Sequence, residues 1–340
     1  MTRSFDVAVV GATGMVGEAM LEVLEQRGFP VGAVHALASE RSVGKRVAFG
    51  ARQIKVEDLA RFDFAKVKLA LFSAGGKVSA EHAPRAAAAG CIVIDNSSHF
   101  RNEPDVPLVV AEVNPEALAG YAARNIVANP NCSTMQMVVA LKPLHDAAHI
   151  ERINVATYQA VSGAGRRAVA ELGRQSALLL NGLPIEPSVF PRQIAFNVIP
   201  QIDVFQDNGY TREEMKMVWE TRKILGEPAL RVNATAVRVP VFHGHSEAVH
   251  LETRRKLTVP EARALLESAP GVRLLDDRRP GGYPTPVTEA ASQDPVWVGR
   301  VREDLSHERG LDLWIVADNL RKGAALNAVQ LAELLVKDYL

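Results

Sequence analysis

Residues 5–17 read Phe-Asp-Val-Ala-Val-Val-Gly-Ala-Thr-Gly-Met-Val-Gly, and this stretch indicates how the first part of the chain folds. A hydrophobic run ends at Gly11, and apolar residues at helical spacing follow until Gly28 and Pro30, which are typical stop signals. The pattern predicts a strand, a tight turn and a helix. Glycines in such a turn let backbone N–H groups and the helix N-terminus approach a pyrophosphate.

The rest of the first third repeats this alternation of short apolar runs and helical patterns. Further strands are expected near residues 33–38, 67–72 and 91–95, with an Ala-rich helix ending at Gly90. Such alternation is typical of βαβ units and predicts an α/β domain with a doubly wound parallel sheet. Beyond about residue 150, long β-prone runs dominate, and they indicate a mixed or antiparallel sheet in a second, α+β domain.

Length, charge and cysteine content narrow the class of protein. The chain has 340 residues, which suits about two domains. Its 39 Lys and Arg balance 39 Asp and Glu, so we expect no nucleic-acid and no membrane partner, since such partners are usually bound by excess positive charge. No apolar run reaches the roughly 18 residues of a membrane-spanning helix. With two cysteines and an N-terminal apolar run too short for a signal peptide, a reduced, cytoplasmic protein is expected.

The glycine turn alone is weak evidence for a nucleotide. Its spacing is G-x-x-G-x-x-G, and a sharp strand-to-helix turn without a ligand is the alternative, but its place in the first βα turn favours a dinucleotide. At the end of the second strand, Ser39, Arg41 and Ser42 offer two hydroxyls and a guanidinium to a 2′-phosphate, which favours NADP over NAD. Glu40 could instead hold the ribose hydroxyls of NAD, so the use of NAD stays open.

Cys132 is the candidate nucleophile. It lies in Asn-Pro-Asn-Cys-Ser-Thr, between a short strand and an apolar helical pattern, and is expected at a helix N-terminus, where the thiolate is favoured. Cys91 lies inside an apolar strand and is interpreted as a packing residue. A thiolate nucleophile needs a proton-transfer partner, and the candidate is His245, expected in a tight turn after a strand. His243 competes for that role, and the sequence does not separate the two.

Several charged residues suit either a binding site or a structural role. Arg238 interrupts a β-prone run and shares a strand face with two alanines, so it is either paired structurally or points into a site. Arg101 follows a predicted parallel strand at the edge where such sheets bind ligands, or it is a loop arginine in solvent. Glu213 and Lys216 share one face of a predicted helix, and the ordinary interpretation is a solvated pair.

Taken together, the motifs resemble those of the aspartate-β-semialdehyde dehydrogenase family nearly from end to end of the chain. The motifs that carry the resemblance are Gly-Ala-Thr-Gly-Met-Val-Gly (11–17), Asp-Asn-Ser-Ser (95–98), Phe-Arg (100–101), Asn-Pro-Asn-Cys-Ser-Thr (129–134), Tyr-Gln-Ala-Val-Ser-Gly-Ala-Gly (158–165), Arg238 with His245, and Asp-Asn-Leu-Arg-Lys-Gly-Ala-Ala (318–325). Several of these motifs are long, and they are specific as a set.

The resemblance implies an NADP-dependent enzyme that carries out the reductive dephosphorylation of β-aspartyl phosphate to aspartate semialdehyde, toward lysine, threonine, methionine and isoleucine. It implies a thioester on Cys132, with His245 as general acid/base and Gln159 orienting the acyl group or stabilising its intermediate. The implied substrate-binding residues are Arg101 and Lys216 for phosphate, Arg238 for the α-carboxylate and Glu213 for the α-ammonium. No metal ion is expected.

The resemblance also implies cofactor contacts, domain limits and an assembly. The implied cofactor-binding residues are Gly11, Thr13, Gly14, Met15, Val16, Ser39, Arg41, Ser42, Ser162, Gly163 and Asn319. A Rossmann-type NADP-binding domain is expected over residues 1–131 with 318–340, and a catalytic and dimerisation domain over 132–317. The protein is expected to form a homodimer. The pattern of residues 322–339 predicts an amphipathic helix. Two alternatives remain, N-acetyl-γ-glutamyl-phosphate reductase, whose substrate lacks a free ammonium, and a non-catalytic paralogue that binds a dinucleotide.

Overall fold

The structure is a computed structural model that describes residues 4–340, so residues 1–3 of the predicted first domain lie outside the described part of the chain. The chain divides into two compact units. The first unit runs to Asn131 and resumes at Ala324–Leu340, and the second unit comprises Cys132–Gly323. Within residues 4–340, no helix is long and apolar enough to cross a membrane.

The helices and strands follow one another in the order that the sequence pattern leads one to expect, with some additions. The strands in the described residues are β1 (Phe5–Val10), β2 (Val31–Ala38), β3 (Arg46–Phe49), β4 (Arg52–Asp58), β5 (Leu69–Phe72), β6 (Ile92–Asp95), β7 (Ile126–Ala128), β8 (Ile150–Gln159), β9 (Arg231–Arg238), β10 (His245–Thr253), β11 (Val272–Leu274), β12 (Val296–Glu303) and β13 (Gly310–Ala317). The α-helices there are α1 (Met15–Gln26), α2 (Gly76–Ala88), α3 (Cys132–Ala148), α4 (Arg166–Leu180), α5 (Arg212–Leu225), α6 (Val259–Ser268) and α7 (Leu326–Asp338).

The described part of the first unit contains a seven-stranded sheet in the order β3-β4-β2-β1-β5-β6-β7. All neighbouring strands are parallel except β3 and β4, which form an antiparallel pair that the sequence analysis did not predict. From β1 the chain winds outward to β2 on one side and to β5 on the other, so the predicted doubly wound sheet is confirmed. In such sheets the carboxyl ends of the strands beside this reversal are where ligands bind.

The core of the first unit is closed by the C-terminal helix. Buried strand residues such as Val9 pack with Leu21 of α1 and Leu331 of α7. Helix α7 contacts both α1 and β6, and an ion pair of 2.7 Å joins Arg27 to Glu333. The last helix is therefore part of the first unit, although it follows the second unit in the chain.

The described part of the second unit contains a six-stranded sheet in the order β11-β12-β13-β10-β8-β9. The pairs β11–β12 and β8–β9 are parallel and the other neighbours antiparallel, so the predicted mixed sheet is confirmed. Every odd-numbered residue of β10 from His245 to Thr253 is buried, and α3 packs against β8, β10 and β13. This alternation places the side chain of His245 in the interior of the unit.

Helix α5 begins at the predicted capping box. The Thr211 side chain accepts a hydrogen bond from the Glu214 N–H, and the Glu214 carboxylate accepts one from the Thr211 N–H at 2.6 Å. Gly226, with φ of 69°, ends the helix in the left-handed conformation that glycine adopts without a Cβ penalty. The well-defined start of α5 fixes the positions of Glu213 and Lys216 in its first turns.

The boundary between the units differs from the predicted boundary at residue 318. Residues 318–323 lie in the second unit. The Asp318 carboxylate accepts a hydrogen bond from the Ser292 N–H at 2.7 Å, and the Asn319 side-chain oxygen accepts one from the Ser162 hydroxyl at 3.0 Å. These bonds hold the segment within the second unit, and the chain rejoins the first unit immediately after it.

Candidate active site

The glycine turn between β1 and α1 is closed by backbone contacts that leave no room for side chains. Gly11 has φ of 84°, and a Cβ there would lie 2.4 Å from the Ser73 carbonyl oxygen. A Cβ on Gly17 would lie 2.2 Å from the Gly11 carbonyl oxygen. Gly14 is exposed and offers no side-chain cap to α1, so the first N–H groups of the helix fit a pyrophosphate. Three more predicted cofactor residues are half-buried: Thr13 in the turn, and Met15 and Val16 in the first turn of α1.

The predicted 2′-phosphate segment lies beside this turn. The Leu37 carbonyl at the end of β2 accepts a hydrogen bond from the Gly11 N–H at 2.8 Å. Ser39, Arg41 and Ser42 follow directly, in a short 3-10 turn and its N-cap. Ser39 and Arg41 are exposed and Ser42 is half-buried, so their donors are accessible. The structure thus brings the two predicted cofactor segments together in the first unit.

Arg101, also in the first unit, is buried instead of being a solvated loop arginine. Its Nε donates to the Asn129 carbonyl at 2.9 Å and its Nη2 donates to the Asn96 carbonyl at 2.7 Å. These two carbonyls follow β7 and β6 respectively. The guanidinium is therefore held at the carboxyl edge of the parallel sheet, where a phosphate group is a suitable ligand.

Cys132 is the first residue of α3 and is half-buried, so the predicted position at a helix N-terminus is confirmed. The first N–H groups of a helix have no intrahelical partner, and with the helix dipole they favour a thiolate. A Cβ on Gly323 would lie 2.8 Å from the Cys132 Cβ, so that segment approaches the cysteine closely. Cys91 is fully buried in the first unit, where burial raises the pKa of its thiol to about 12, in agreement with the predicted packing role.

His245 is fully buried, and the prediction that it lies in a turn is wrong: it is the first residue of β10. Its Nδ1 accepts a hydrogen bond from the Ala160 N–H at 3.0 Å, and its Nε2 has no hydrogen-bond partner among residues 4–340. Burial lowers the pKa of His245 to about 3; the positive charge of Arg238 adds to this effect and Glu213 opposes it. The imidazole is therefore neutral near pH 7. His243 lies half-buried in the preceding turn.

Gln159 and Glu213 form a buried polar contact that extends to two charged partners. The Gln159 side chain donates to the Glu213 carboxylate at 3.2 Å, and the Lys216 ammonium donates to the same carboxylate at 2.9 Å. Lys216 also donates to Asp203 at 2.9 Å. Burial alone would lower the pKa of Lys216, but these two carboxylates outweigh it and raise the pKa. The interpretation of Glu213 and Lys216 as a solvated pair is wrong, since Glu213 is 5% exposed.

Arg238 ends β9 and is buried on the same strand face as two buried alanines, as predicted. Its Nη1 donates to the Ala160 carbonyl at 2.7 Å. Burial lowers the pKa of Arg238, while Glu213 and Cys132 act in the opposite sense, so these three groups interact electrostatically. A buried cation beside the cysteine favours its thiolate form.

The predicted cofactor residues of the second unit lie beside this cluster. The Asn319 side-chain oxygen accepts hydrogen bonds of 3.0 Å from the Ser162 hydroxyl and from the N–H of the residue before β10. Gly163 is exposed, and a Cβ there would lie 3.1 Å from Arg238 Nη1 and 3.2 Å from His245 Nε2. Glycine at this position keeps both atoms free of an overlying side chain.

Three residues of the second-unit site were missed by sequence reasoning. Asp203, which bonds Lys216, lies in an irregular segment without a motif. Glu247 follows His245 by two residues on the same buried strand face, and burial raises its pKa well above the usual range, with Gln136 acting in the opposite sense. Gln136 lies one helical turn after the nucleophile candidate. A glutamate in a strand is usually exposed to solvent, so the sequence carried no signal for the burial of Glu247.

A separate cluster of His145, His149 and Glu227 has possible metal-ligand atoms within 4.8 Å of one another. The Ile150 N–H donates to His145 Nδ1 at 3.2 Å, so the neutral ring carries its proton on Nε2. That nitrogen faces Glu227 at 3.7 Å and offers no lone pair to a metal. In this arrangement His145 therefore does not suit a metal ligand, and the two histidines lie at ion-pair distances of 3.7 and 3.6 Å from Glu227.

Two family models match the chain. "Semialdehyde dehydrogenase, NAD binding domain" matches residues 6–121, and "Semialdehyde dehydrogenase, dimerisation domain" matches residues 141–322. The second match alone extends over more than half of the sequence. Together they cover both units and include most residues of the candidate site.

Named relatives match over the full chain. An aspartate-semialdehyde dehydrogenase of Shewanella sp. (strain DB6705) is 58% identical over 339 residues, with 100% of both chains covered. One of Legionella pneumophila is 60% identical, with 100% of this chain and 98% of the relative covered. The crystal structure of aspartate semialdehyde dehydrogenase II complexed with ASA from Vibrio cholerae superposes with a TM-score of 0.98 at 58% identity, and 100% of both chains is covered.

Proposed function

Because the chain belongs to the aspartate-semialdehyde dehydrogenase family, we propose that it catalyses the NADPH-dependent reductive dephosphorylation of β-aspartyl phosphate to aspartate semialdehyde. The observation that carries this proposal is the position of Cys132 at the start of α3, in the same unit as His245 and Arg238. A sulfur nucleophile near a buried cation, in one unit with a buried neutral histidine, suits acyl transfer. The product then serves the biosynthesis of lysine, threonine, methionine and isoleucine.

In the proposed reaction Cys132 attacks the acyl phosphate as a thiolate. The N–H groups of the first turn of α3, at the positive end of the helix dipole, stabilise the negative oxygen that develops, and phosphate leaves to give a thioester. Gln159 orients the acyl group or stabilises its intermediate, and His245 is the proposed general acid/base. When bound, the reduced nicotinamide supplies the hydride that converts the thioester into the aldehyde.

The charged groups of the substrate have matching side chains. Arg238 offers a planar fork of donors to the α-carboxylate, a geometry that a lysine lacks. Glu213, a buried carboxylate, suits the α-ammonium. Lys216 and Arg101 are the proposed phosphate-binding residues; Lys216 is oriented by Asp203, and Arg101 is held by backbone carbonyls. The substrate thus meets one buried anion and several cations.

The proposed cofactor is NADP. Its support is the group of donors at Ser39, Arg41 and Ser42 beside the glycine turn, because a dianionic 2′-phosphate is bound well by a guanidinium with hydroxyls. Ser162, Gly163 and Asn319 are the proposed cofactor contacts of the second unit. Glu40 in the same turn makes NAD the competing cofactor to be tested.

We further propose a cytoplasmic homodimer formed through the second unit. Its support is the match to a dimerisation domain over residues 141–322 and the aromatic residues on the even-numbered face of β8 and β13. There Tyr158 is 37% exposed and lies 5.6 Å from the ring of Trp314. Exposed aromatic patches are typical of protein interfaces. Sedimentation velocity gives the mass in solution, and a monomer at micromolar concentration would contradict the proposal.

The test is the oxidation of aspartate semialdehyde in the presence of inorganic phosphate and either NADP or NAD. We expect a rate that depends on phosphate and is higher with NADP. Cys132→Ala should lower the rate by more than about a thousandfold, because the covalent route is lost. Cys91→Ala is the matched control and should keep turnover, since that thiol is buried in the first unit. Equal rates for wild type and Cys132→Ala would overturn the assignment of the nucleophile.

The same assay separates the alternatives when it is run in reverse with two acyl phosphates. N-acetyl-γ-glutamyl phosphate has no free ammonium, so a buried carboxylate at Glu213 has no partner on that substrate. We expect a preference for β-aspartyl phosphate, and Glu213→Gln should reduce that preference. A preference for the acetylated substrate would contradict the proposal, and dinucleotide binding without turnover of either would indicate a non-catalytic paralogue.

A further inference from the structure

Glu247 lies in the interior of the second unit without a charged partner. In the sheet it is paired with Thr157 of β8 and Ile315 of β13, and all three residues are fully buried. Burial raises the pKa of its carboxyl well above the usual range, and within residues 4–340 only the Gln136 side chain acts in the opposite sense. An ionised carboxylate without a cation is very unfavourable in such an environment. Glu247 is therefore a neutral carboxylic acid near pH 7.

Gln136 is the polar side chain that acts on this carboxyl group. It is fully buried in α3, and both of its amide atoms, like both carboxyl oxygens of Glu247, lack a hydrogen bond of standard geometry to residues 4–340. The two side chains are nevertheless near enough for a hydrogen bond from Gln136 to lower the pKa of Glu247. Buried polar groups rarely stay without partners, and a carboxylic acid and an amide can each donate and accept. A slight rotation of either side chain lets the two groups satisfy each other.

The pair joins the two elements that carry the proposed nucleophile and the buried histidine. Gln136 follows Cys132 by one turn of α3, and Glu247 follows His245 by two residues on the same buried face of β10. Helix α3 packs directly against β10. A shift of Gln136 relative to Glu247 therefore moves the start of the helix relative to the start of the strand, because each element is hydrogen-bonded along its backbone.

From this geometry, and resting on the proposed function, we infer that Gln136 and the un-ionised Glu247 form a reciprocal pair of hydrogen bonds that holds the first turns of α3 on β10 and thereby positions Cys132. The carboxylic O–H donates to the amide oxygen, and the amide N–H donates to the carboxyl oxygen. Both are positioning residues, since the pair acts on the reaction through the placement of the nucleophile.

The kinetic test exchanges the two groups. Glu247→Leu and Gln136→Leu each remove one partner, and we expect kcat to fall by roughly tenfold or more while the KM for aspartate semialdehyde changes little. The double variant Glu247→Gln/Gln136→Glu again joins an acid to an amide and should recover kcat to within about threefold of wild type. Glu247→Leu/Gln136→Leu fills the space without hydrogen bonds, so its Tm should recover but its kcat should not. Equal kcat in the two double variants would overturn the positioning role.

The matched control is Glu267→Leu, because it changes an exposed carboxylate of α6 in the same unit. It should leave kcat within about twofold of wild type. Thermal unfolding of every variant is measured alongside, so that a loss of folding is recognised. A comparable fall of kcat in Glu267→Leu and Glu247→Leu would show that the effect is not specific to the buried pair, and would also overturn the inference.

Two measurements on the protein without substrate do not depend on turnover. The infrared difference spectrum between wild type and Glu247→Gln at pH 7 should show the carbonyl band of a protonated carboxyl group, and an ionised carboxylate band in its place would overturn the inference. Amide hydrogen exchange at residues 132–141 should be faster in Glu247→Leu than in wild type and should return to the wild-type rate in Glu247→Gln/Gln136→Glu. Unchanged exchange in Glu247→Leu would contradict the attachment of α3 by the pair. Both expected results without any dehydrogenase activity of the wild type would instead reject the proposed function.

Discussion

The cofactor region of the first unit and the catalytic cluster of the second unit are built in opposite ways. The cofactor region comprises Gly11–Gly17 and Ser39–Ser42, and its shape comes from backbone: positive φ, close carbonyl approach and an uncapped helix start. The catalytic cluster comprises five side chains from separate segments, which are buried or half-buried: Cys132, Gln159, Glu213, Arg238 and His245. Local sequence specifies the first region, whereas tertiary packing specifies the second.

Because of this difference, the two regions are expected to respond differently to amino-acid substitutions. In the cofactor region a donor on an exposed side chain can change without disturbing the turn beneath it. In the catalytic cluster each side chain is held by another, as Ala160 holds both His245 and Arg238. A small displacement there is expected to lower kcat more than the loss of a contact at the surface does, because reacting atoms need near-contact geometry.

Among substitutions that keep the reacting side chains, the largest expected effect is that of Gly323→Ala on the catalytic cluster. The new Cβ would lie 2.8 Å from the Cys132 Cβ, so either the nucleophile or the segment that carries residue 323 must shift. A misplacement of this kind lowers kcat by roughly a hundredfold. In Gly173→Ala, the matched control, the nearest atom is 4.0 Å away on Phe242, and activity should stay within about twofold of wild type. Similar activity in both variants would mean that the nucleophile is not tightly positioned.

An intermediate effect is expected from Arg41→Ala in the cofactor region. Loss of a charge-assisted bond to the 2′-phosphate, worth about 1.5–3 kcal/mol, should raise the KM for NADP by roughly tenfold or more. The KM for NAD should change by less than about twofold, because NAD lacks that phosphate. Arg46→Ala, an exposed arginine of β3, serves as the control. Equal losses with both cofactors would contradict the assignment of Arg41 to the 2′-phosphate.

The smallest effect is expected from Glu247→Gln, and it appears as a pH dependence of stability. Burial raises the folded-state pKa of Glu247 well above that of the unfolded chain. As the pH rises through the unfolded value, the unfolded chain releases this proton while the folded protein keeps it, so the wild type loses stability toward alkaline pH. The Tm gained by Glu247→Gln should therefore be larger at alkaline than at acidic pH.

The control for that measurement is Glu267→Gln, which changes an exposed carboxylate of α6. Its Tm difference from wild type should not vary with pH in the same way. A Tm gain for Glu247→Gln that is constant with pH would show that the carboxyl group titrates alike in folded and unfolded protein. The difference between the buried catalytic cluster and the cofactor region would then be smaller than the structure indicates.

Much of the fold followed from local sequence patterns. Strand β1, helix α1, the Thr211 capping box and the start of α3 at Cys132 were all predicted, because each depends on residues close together in the chain. The short β3–β4 pair was missed, although the alternating charged and apolar residues of Arg46–Phe49 are typical of a half-exposed strand. The mixed sheet of the second unit was predicted in class but not in strand order.

The catalytic cluster was less accessible to sequence reasoning. Whether Glu213 is solvated or buried depends on Gln159, which is 54 residues away in the chain. The burial of His245 depends on the strand that begins there, and its Nδ1 is bound by a backbone N–H of Ala160, 85 residues away in the chain. Motif resemblance pointed to these residues, but only the folded arrangement gives their hydrogen-bond partners and charge environment.

The most direct test of the central claim, a covalent intermediate on Cys132, omits the cofactor. Enzyme mixed with β-aspartyl phosphate alone should release about one phosphate per active site in a rapid burst, since acylation precedes hydride transfer. Intact-protein mass spectrometry should then show one aspartyl adduct, located on Cys132 by digestion. Cys132→Ala should give neither burst nor adduct. No burst in wild type, or an equal burst and adduct in Cys132→Ala, would contradict the account.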